Sequence, residues 1–203
     1  LILGHWRGIP DPAHRRSEYV DVVAEVRDEL ARLAARAIAA GVDPTQLPRP
    51  TEARQLIDAV SVQSKLGVRA ATYLRTLLLA GSRPAEAMGL KTTDITRPRQ
   101  PGEWGVLTFR RGLTQANAAY TDDGESWDER DVLKWRAEGE TRRVAVPPEL
   151  LDAIDSHIAE FGTAGDGRNF VSATGAPIAS DLSVTWRAAV NLLWPEGHPF
   201  HHL

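Results

Sequence analysis

The chain has 203 residues, 42% hydrophobic and 25% charged, with a formal net charge of −3 and no cysteine. That length holds one sizeable core, or a domain with a smaller appendage. The missing cysteines exclude a disulfide framework and a thiolate zinc site, as suits a cytoplasmic protein, and no run of about 18 apolar residues offers a membrane-spanning helix. A net negative charge gives no global basic signature, so any anion-binding face has to be local. The start, "LILGHWRGIP", has no Met and too short an apolar stretch for a signal peptide, and reads as the middle of a longer protein.

In chain order, residues 18 to 40 place Val23, Val26, Leu30, Leu33 and Ala37 at alternating steps of three and four, which predicts an amphipathic helix stopped by Gly41. "VDPTQLPRP" reads as a linker. Thr51 is expected to cap a helix over "EARQLIDAV", and after "SKLG" a more apolar helix, "VRAATYLRTLLLA", runs to Gly81. Pro84 fits a first helical turn, with Glu86 complementing its dipole. From residue 104 the period becomes two. "GVLTFRR" sets Leu107 and Phe109 against Val106, Thr108 and Arg110, and "TRRVAV" alternates likewise. Between them, residues 112 to 140 read as a long polar connection. "PPELLDAIDSHIAEF" predicts a helix burying Leu151, Ile154, Ile158 and Phe161. A short strand "RNFV", a turn "TGAP", and a last helix capped by Ser180 or Asp181 follow.

Arg83 sits at the joint between two apolar helices. It can be a helix-end salt bridge to Glu86, or a guanidinium whose fixed fork matches two phosphate oxygens. Lys134, with Arg136, Arg142 and Arg143 close in sequence, is either part of a solvated basic loop or a lysine on a hairpin able to give a proton to a phosphodiester. The acidic run "DDGESWDERD" masks a locally basic face, to which Arg97, Arg99, Arg110 and Arg111 also belong. The closing "GHPFHHL" lacks the HExxH pattern and a carboxylate ligand other than Glu196. A histidine pair or a catalytic histidine therefore outweighs a metal site.

Three segments in order, "LLLAGSRPAEAMGLKTTDI", "LKWRAEGETRRVAVPPELLDAIDSHIAEFGTAGDGRNFV" and "PFHHL", together resemble the boxes of the tyrosine recombinases (phage integrases), in the form found in actinobacterial integrase-like proteins. The resemblance covers residues 51 to 203. It implies an α+β, mainly α-helical fold, with helices packed around a small antiparallel sheet. Matched residue by residue, Arg83 is the first catalytic arginine, Glu86 its supporting acid, Lys134 the hairpin lysine and His201 the second-box histidine. Arg110, Arg111, Arg136, Arg142 and Arg143 are expected to meet DNA. The second arginine, the third box and the tyrosine nucleophile have no counterpart. Tyr19, Tyr73 and Tyr120 fall in the wrong order to supply that nucleophile.

Residues 1 to 48 are then an N-terminal helical segment and linker, the end of a core-binding domain or an insertion. Residues 49 to 203 are a catalytic domain incomplete at its C-terminal end. The resemblance implies a site-specific recombinase working on double-stranded DNA through a 3′-phosphotyrosine intermediate, assembled as a tetramer on DNA, with no cofactor, metal or membrane, and a 203-residue piece inactive for want of the nucleophile. The other readings are a non-catalytic DNA-binding integrase remnant and a helical protein-interaction domain.

Overall fold

The structure, a computed structural model, describes residues 48–115, 126–131, 133, 137, 139–178 and 182–197. The helix expected over 18–40, and the caps expected at Ser180 or Asp181, lie outside them. Helix α1 runs Pro50–Ser61. Thr51 is its second residue rather than its cap, because Pro50 already carries a helical φ and takes the first position. The cap is Arg49, whose backbone N–H donates to Glu52 Oε2 at 2.7 Å.

Helix α2 runs Lys65–Ala80 and begins inside the expected connection "SKLG". Ser64 starts it early, its Oγ accepting from the Gly67 N–H at 3.0 Å. A Cβ at Gly67 would lie 2.1 Å from the Val60 carbonyl oxygen, so glycine lets α1 and α2 meet backbone to backbone. The expected stop at Gly81 holds, at φ 54° in the left-handed region. Helix α3, Pro84–Met88, follows at once.

Strands β1 (Ile95–Thr96), β2 (Gly105–Phe109) and β5 (Arg142–Val146) form one antiparallel sheet in the order β1-β2-β5. Leu107 pairs with Val144 and Phe109 with Arg142. Leu107 and Phe109 are buried on one face as expected. Thr108, expected on the open face, is buried too, in the central strand.

The polar connection between these strands is not irregular throughout. It contains β3 (Gly112–Gln115) and β4 (Trp127–Arg130), paired antiparallel from Gly112–Arg130 to Gln115–Trp127. Each has four residues, and Leu113 is their one buried apolar side chain, too little for a visible period of two.

Helix α4, Pro148–Phe161, buries Leu150, Leu151, Ile154 and His157. Ile158 and Phe161 are only half-buried, so the buried face is turned from the expected stripe. "RNFV" makes isolated bridges, Lys91–Arg168 and Val171–Pro177, instead of a strand. Helix α5, Leu182–Leu193, buries Thr185, Ala189 and Val190. A single core gathers Leu56 and Val60 of α1, Tyr73 of α2, Leu107, Phe109 and Val146 of the sheet, Leu150 and Ile154 of α4, and Phe170. No helix among the described residues is long and apolar enough to cross a membrane.

His157 is buried against Phe161 and Phe170, with ring centroids 5.0 and 5.4 Å away, and its Nε2 lies 3.1 Å from the Asn169 carbonyl oxygen. Burial pushes its pKa below the ordinary 6.5, helped by the Arg69 charge and opposed by the Asn169 carbonyl and Glu160. The unfolded chain therefore binds a proton near pH 6.5 that the folded one refuses. The contribution to stability is full above that pH and falls as pH drops through it towards the lower folded value. Thermal unfolding between pH 7 and 5 is expected to show this loss. His157→Leu should shrink the pH dependence, and an unchanged slope would count against the assignment.

Candidate functional site

Arg83 is placed by its neighbours. Gly81 ends α2 in a left-handed turn, and Pro84 excludes the α region for the residue before it. Arg83 accordingly stands extended, at φ −73° and ψ 152°, and serves as the cap of α3. Its side chain is half-exposed, at 49%. Three residues on, Glu86 is buried, and its Oε2 accepts from the Arg83 backbone N–H at 3.1 Å. Between the side chains, Arg83 Nη1 stands 3.7 Å from Glu86 Oε1.

Arg142, at the start of β5, reaches the same carboxylate. Its Nη2 donates to Glu86 Oε2 at 2.7 Å and lies 3.3 Å from the Gly81 carbonyl oxygen. Its guanidinium stacks 4.8 Å over the ring of Phe109, its cross-strand partner. One arginine thus joins the end of α2, the first turn of α3 and the sheet. A buried carboxylate is stable when ionised only with such partners.

A second buried acid repeats the pattern one turn later. Asp94 ends the 3-10 turn Thr92–Asp94, and its Oδ2 accepts from the Lys91 backbone N–H at 3.1 Å, as Glu86 does from Arg83. Arg110 Nε donates to Asp94 Oδ1 at 3.0 Å and Arg111 Nη1 to Oδ2 at 2.6 Å. Glu129 of β4 then meets Lys91 Nζ at 3.0 Å and Arg111 Nε at 3.4 Å, which ties the β3–β4 pair to the turn.

The predicted site residues therefore divide. The structure brings Arg83, Glu86 and Arg142 together. Arg110 and Arg111 converge instead on Asp94, Arg110 half-exposed and Arg111 at 14%. Arg143 faces the other side of β5 from Arg142 and is exposed. Arg97 pairs with Asp155, its Nε donating to Oδ1 at 3.0 Å. Lys134, Arg136 and His201 lie outside the described residues.

The bracing role of Arg142 and the Asp94 knot were not read from sequence. The knot did have a signal: "RPAE" and "KTTD" share a basic residue followed three places on by an acid. Tyr73 is buried edge-on to Phe170 at 5.8 Å, and burial pushes its phenol up to about 12. That leaves it a poor nucleophile as well as one in the wrong order. Among the described residues no group of three or more histidines and carboxylates is arranged to hold a metal ion.

No family model and no curated protein matches the sequence. Solved structures do. The Tn1549 transposon integrase in complex with transposon right end DNA is similar with a TM-score of 0.55 and 16% identity, over 78% of this chain and 51% of that one. The same integrase in complex with circular intermediate DNA is similar with a TM-score of 0.53 and 16% identity, over 78% and 50%. The chain spans about half the length of the integrase chains it matches. The chain shares its fold, helices around a small antiparallel sheet, with these transposon integrase structures.

Proposed function

We propose that this chain belongs to a DNA strand-transfer enzyme of the tyrosine recombinase type, which cuts and rejoins duplex DNA through a 3′-phosphotyrosine link. The observation that supports this most is Arg83, a half-exposed guanidinium on a rigid joint, backed by a buried Glu86 that Arg142 holds at 2.7 Å. A guanidinium presents parallel N–H donors to two non-bridging phosphate oxygens. As a tyrosine oxygen attacks phosphorus and the bond to the 5′ oxygen breaks, negative charge gathers on those oxygens, and a cation already in place stabilises it there. Packing on both sides of the joint supplies the preorganisation such a clamp needs.

By the same resemblance, Lys134 gives the departing 5′ oxygen its proton, and His201 positions or exchanges a proton with the tyrosine hydroxyl. Arg143, Arg136 and the exposed part of Arg110 are the arginines we assign to the DNA backbone. The presence of DNA in the similar integrase structures supports duplex DNA as the partner. Assembly on DNA and a cytoplasmic location belong to the same proposal.

The test is a duplex titration with the 203-residue chain at several salt concentrations. Phosphate contacts release counterions, so log affinity should fall linearly with log salt. Absence of binding, or binding indifferent to salt, would sink the reading and favour a protein-interaction domain.

A further inference from the structure

We propose that Arg142 is a positioning residue, which holds Glu86 so that this carboxylate orients Arg83 without neutralising it, and that Arg142 itself touches no phosphate. The inference rests on Arg83 being the phosphate clamp.

Three observations carry it. Glu86 is committed to Arg142 at 2.7 Å and stands only loosely against the Arg83 side chain at 3.7 Å. Two guanidiniums share one carboxylate, so the trio keeps a net charge of +1, whereas Arg83 and Glu86 alone would form a neutral pair. An incoming phosphate would have to compete with that carboxylate. Arg142 is also mostly buried, its side chain 24% exposed. Its guanidinium lies on Phe109, Nη2 is engaged by Glu86 and lies near Gly81, and Nε is buried with no hydrogen-bond acceptor. The neighbouring Arg143 is exposed on the opposite face of β5 and is the better placed of the two to meet a backbone phosphate.

If Arg142 acts only through Glu86, its effect on DNA binding must vanish once Glu86 carries no charge. Affinity for a labelled duplex is measured at fixed salt for the original chain, Arg142→Met, Glu86→Gln, Glu86→Gln/Arg142→Met and Arg83→Ala. The double variant is expected to bind within about twofold of Glu86→Gln. Arg142→Met alone should lose about tenfold, because Glu86 then turns onto Arg83. The double variant replaces an ion pair with a neutral pair, so the comparison stands even where Arg142→Met fails to fold.

A further loss of about tenfold on adding Arg142→Met to Glu86→Gln would mean a direct phosphate contact and overturn the proposal. Should Arg83→Ala bind as tightly as the original, the clamp falls first and takes this inference with it. Arg83→Ala weakened, with the double variant about tenfold weaker than Glu86→Gln, overturns the positioning role alone.

Discussion

Arg83→Ala is expected to cut duplex affinity by roughly ten- to a hundredfold while leaving the fold almost untouched. The loss in binding is that of charge-assisted hydrogen bonds to one phosphate, about 1.5–3 kcal/mol. The slope of log affinity against log salt should fall by about one unit, since one fewer phosphate is neutralised. In a protein carrying the nucleophile, strand transfer should drop further, by about 10²–10³-fold, as for loss of any preorganised group facing developing charge.

Stability should change by less than about 1 kcal/mol, because the side chain is half-exposed and its pair with Glu86 is long at 3.7 Å. The buried carboxylate keeps its stronger partner, Arg142. Gel shift and thermal unfolding on the same sample check both halves. Marked unfolding with unchanged affinity would mean that Arg83 is a structural salt bridge and nothing more.

Asp94→Ala is expected to do the reverse, costing about 3–5 kcal/mol of stability. Its carboxylate is buried at 2% and engages Arg110, Arg111 and the Lys91 backbone N–H. Removing it leaves Arg111, only 14% exposed, without its shortest partner and with only the longer contacts to Glu129 at 3.4 Å and Asp131 at 3.9 Å. A buried cation that loses its main anion is among the costlier defects a substitution can make. In a chain of this size that amounts to a fall in Tm of about 6–20 °C. The β3–β4 pair retains Glu129 on Lys91 and Arg111, and should loosen rather than detach. A melting shift of only one or two degrees would show that the knot is decorative.

Much of the fold was legible before any coordinates. Apolar residues at steps of three and four marked α4, apolar runs bounded by caps and glycine stops marked α1, α2 and α5, and the period of two marked β2 and β5. The errors lie where that signal is short or local chemistry competes. Pro50 displaced Thr51 as the start of α1, Ser64 began α2 before its apolar stretch, and β3 and β4 were too polar to stand out from a loop. On α4 the true stripe admits His157, which no apolar count would include.

The site divides in the same way. What lies within a few residues was determined by sequence alone. Gly81 ends a helix, Pro84 forces Arg83 into an extended conformation, and Glu86, at the third position of the next turn, folds back onto the Arg83 N–H. Which arginine meets which acid was decided only by the tertiary structure. Arg142 finds Glu86 across 56 positions of sequence, and Arg110 and Arg111 find Asp94 across 16 and 17. An arginine has the same local signature whether it ends on a phosphate or on a carboxylate. The difference comes from the register of β2 against β5, which sets Arg142 over Phe109 and its guanidinium against Glu86, and turns Arg143 outward.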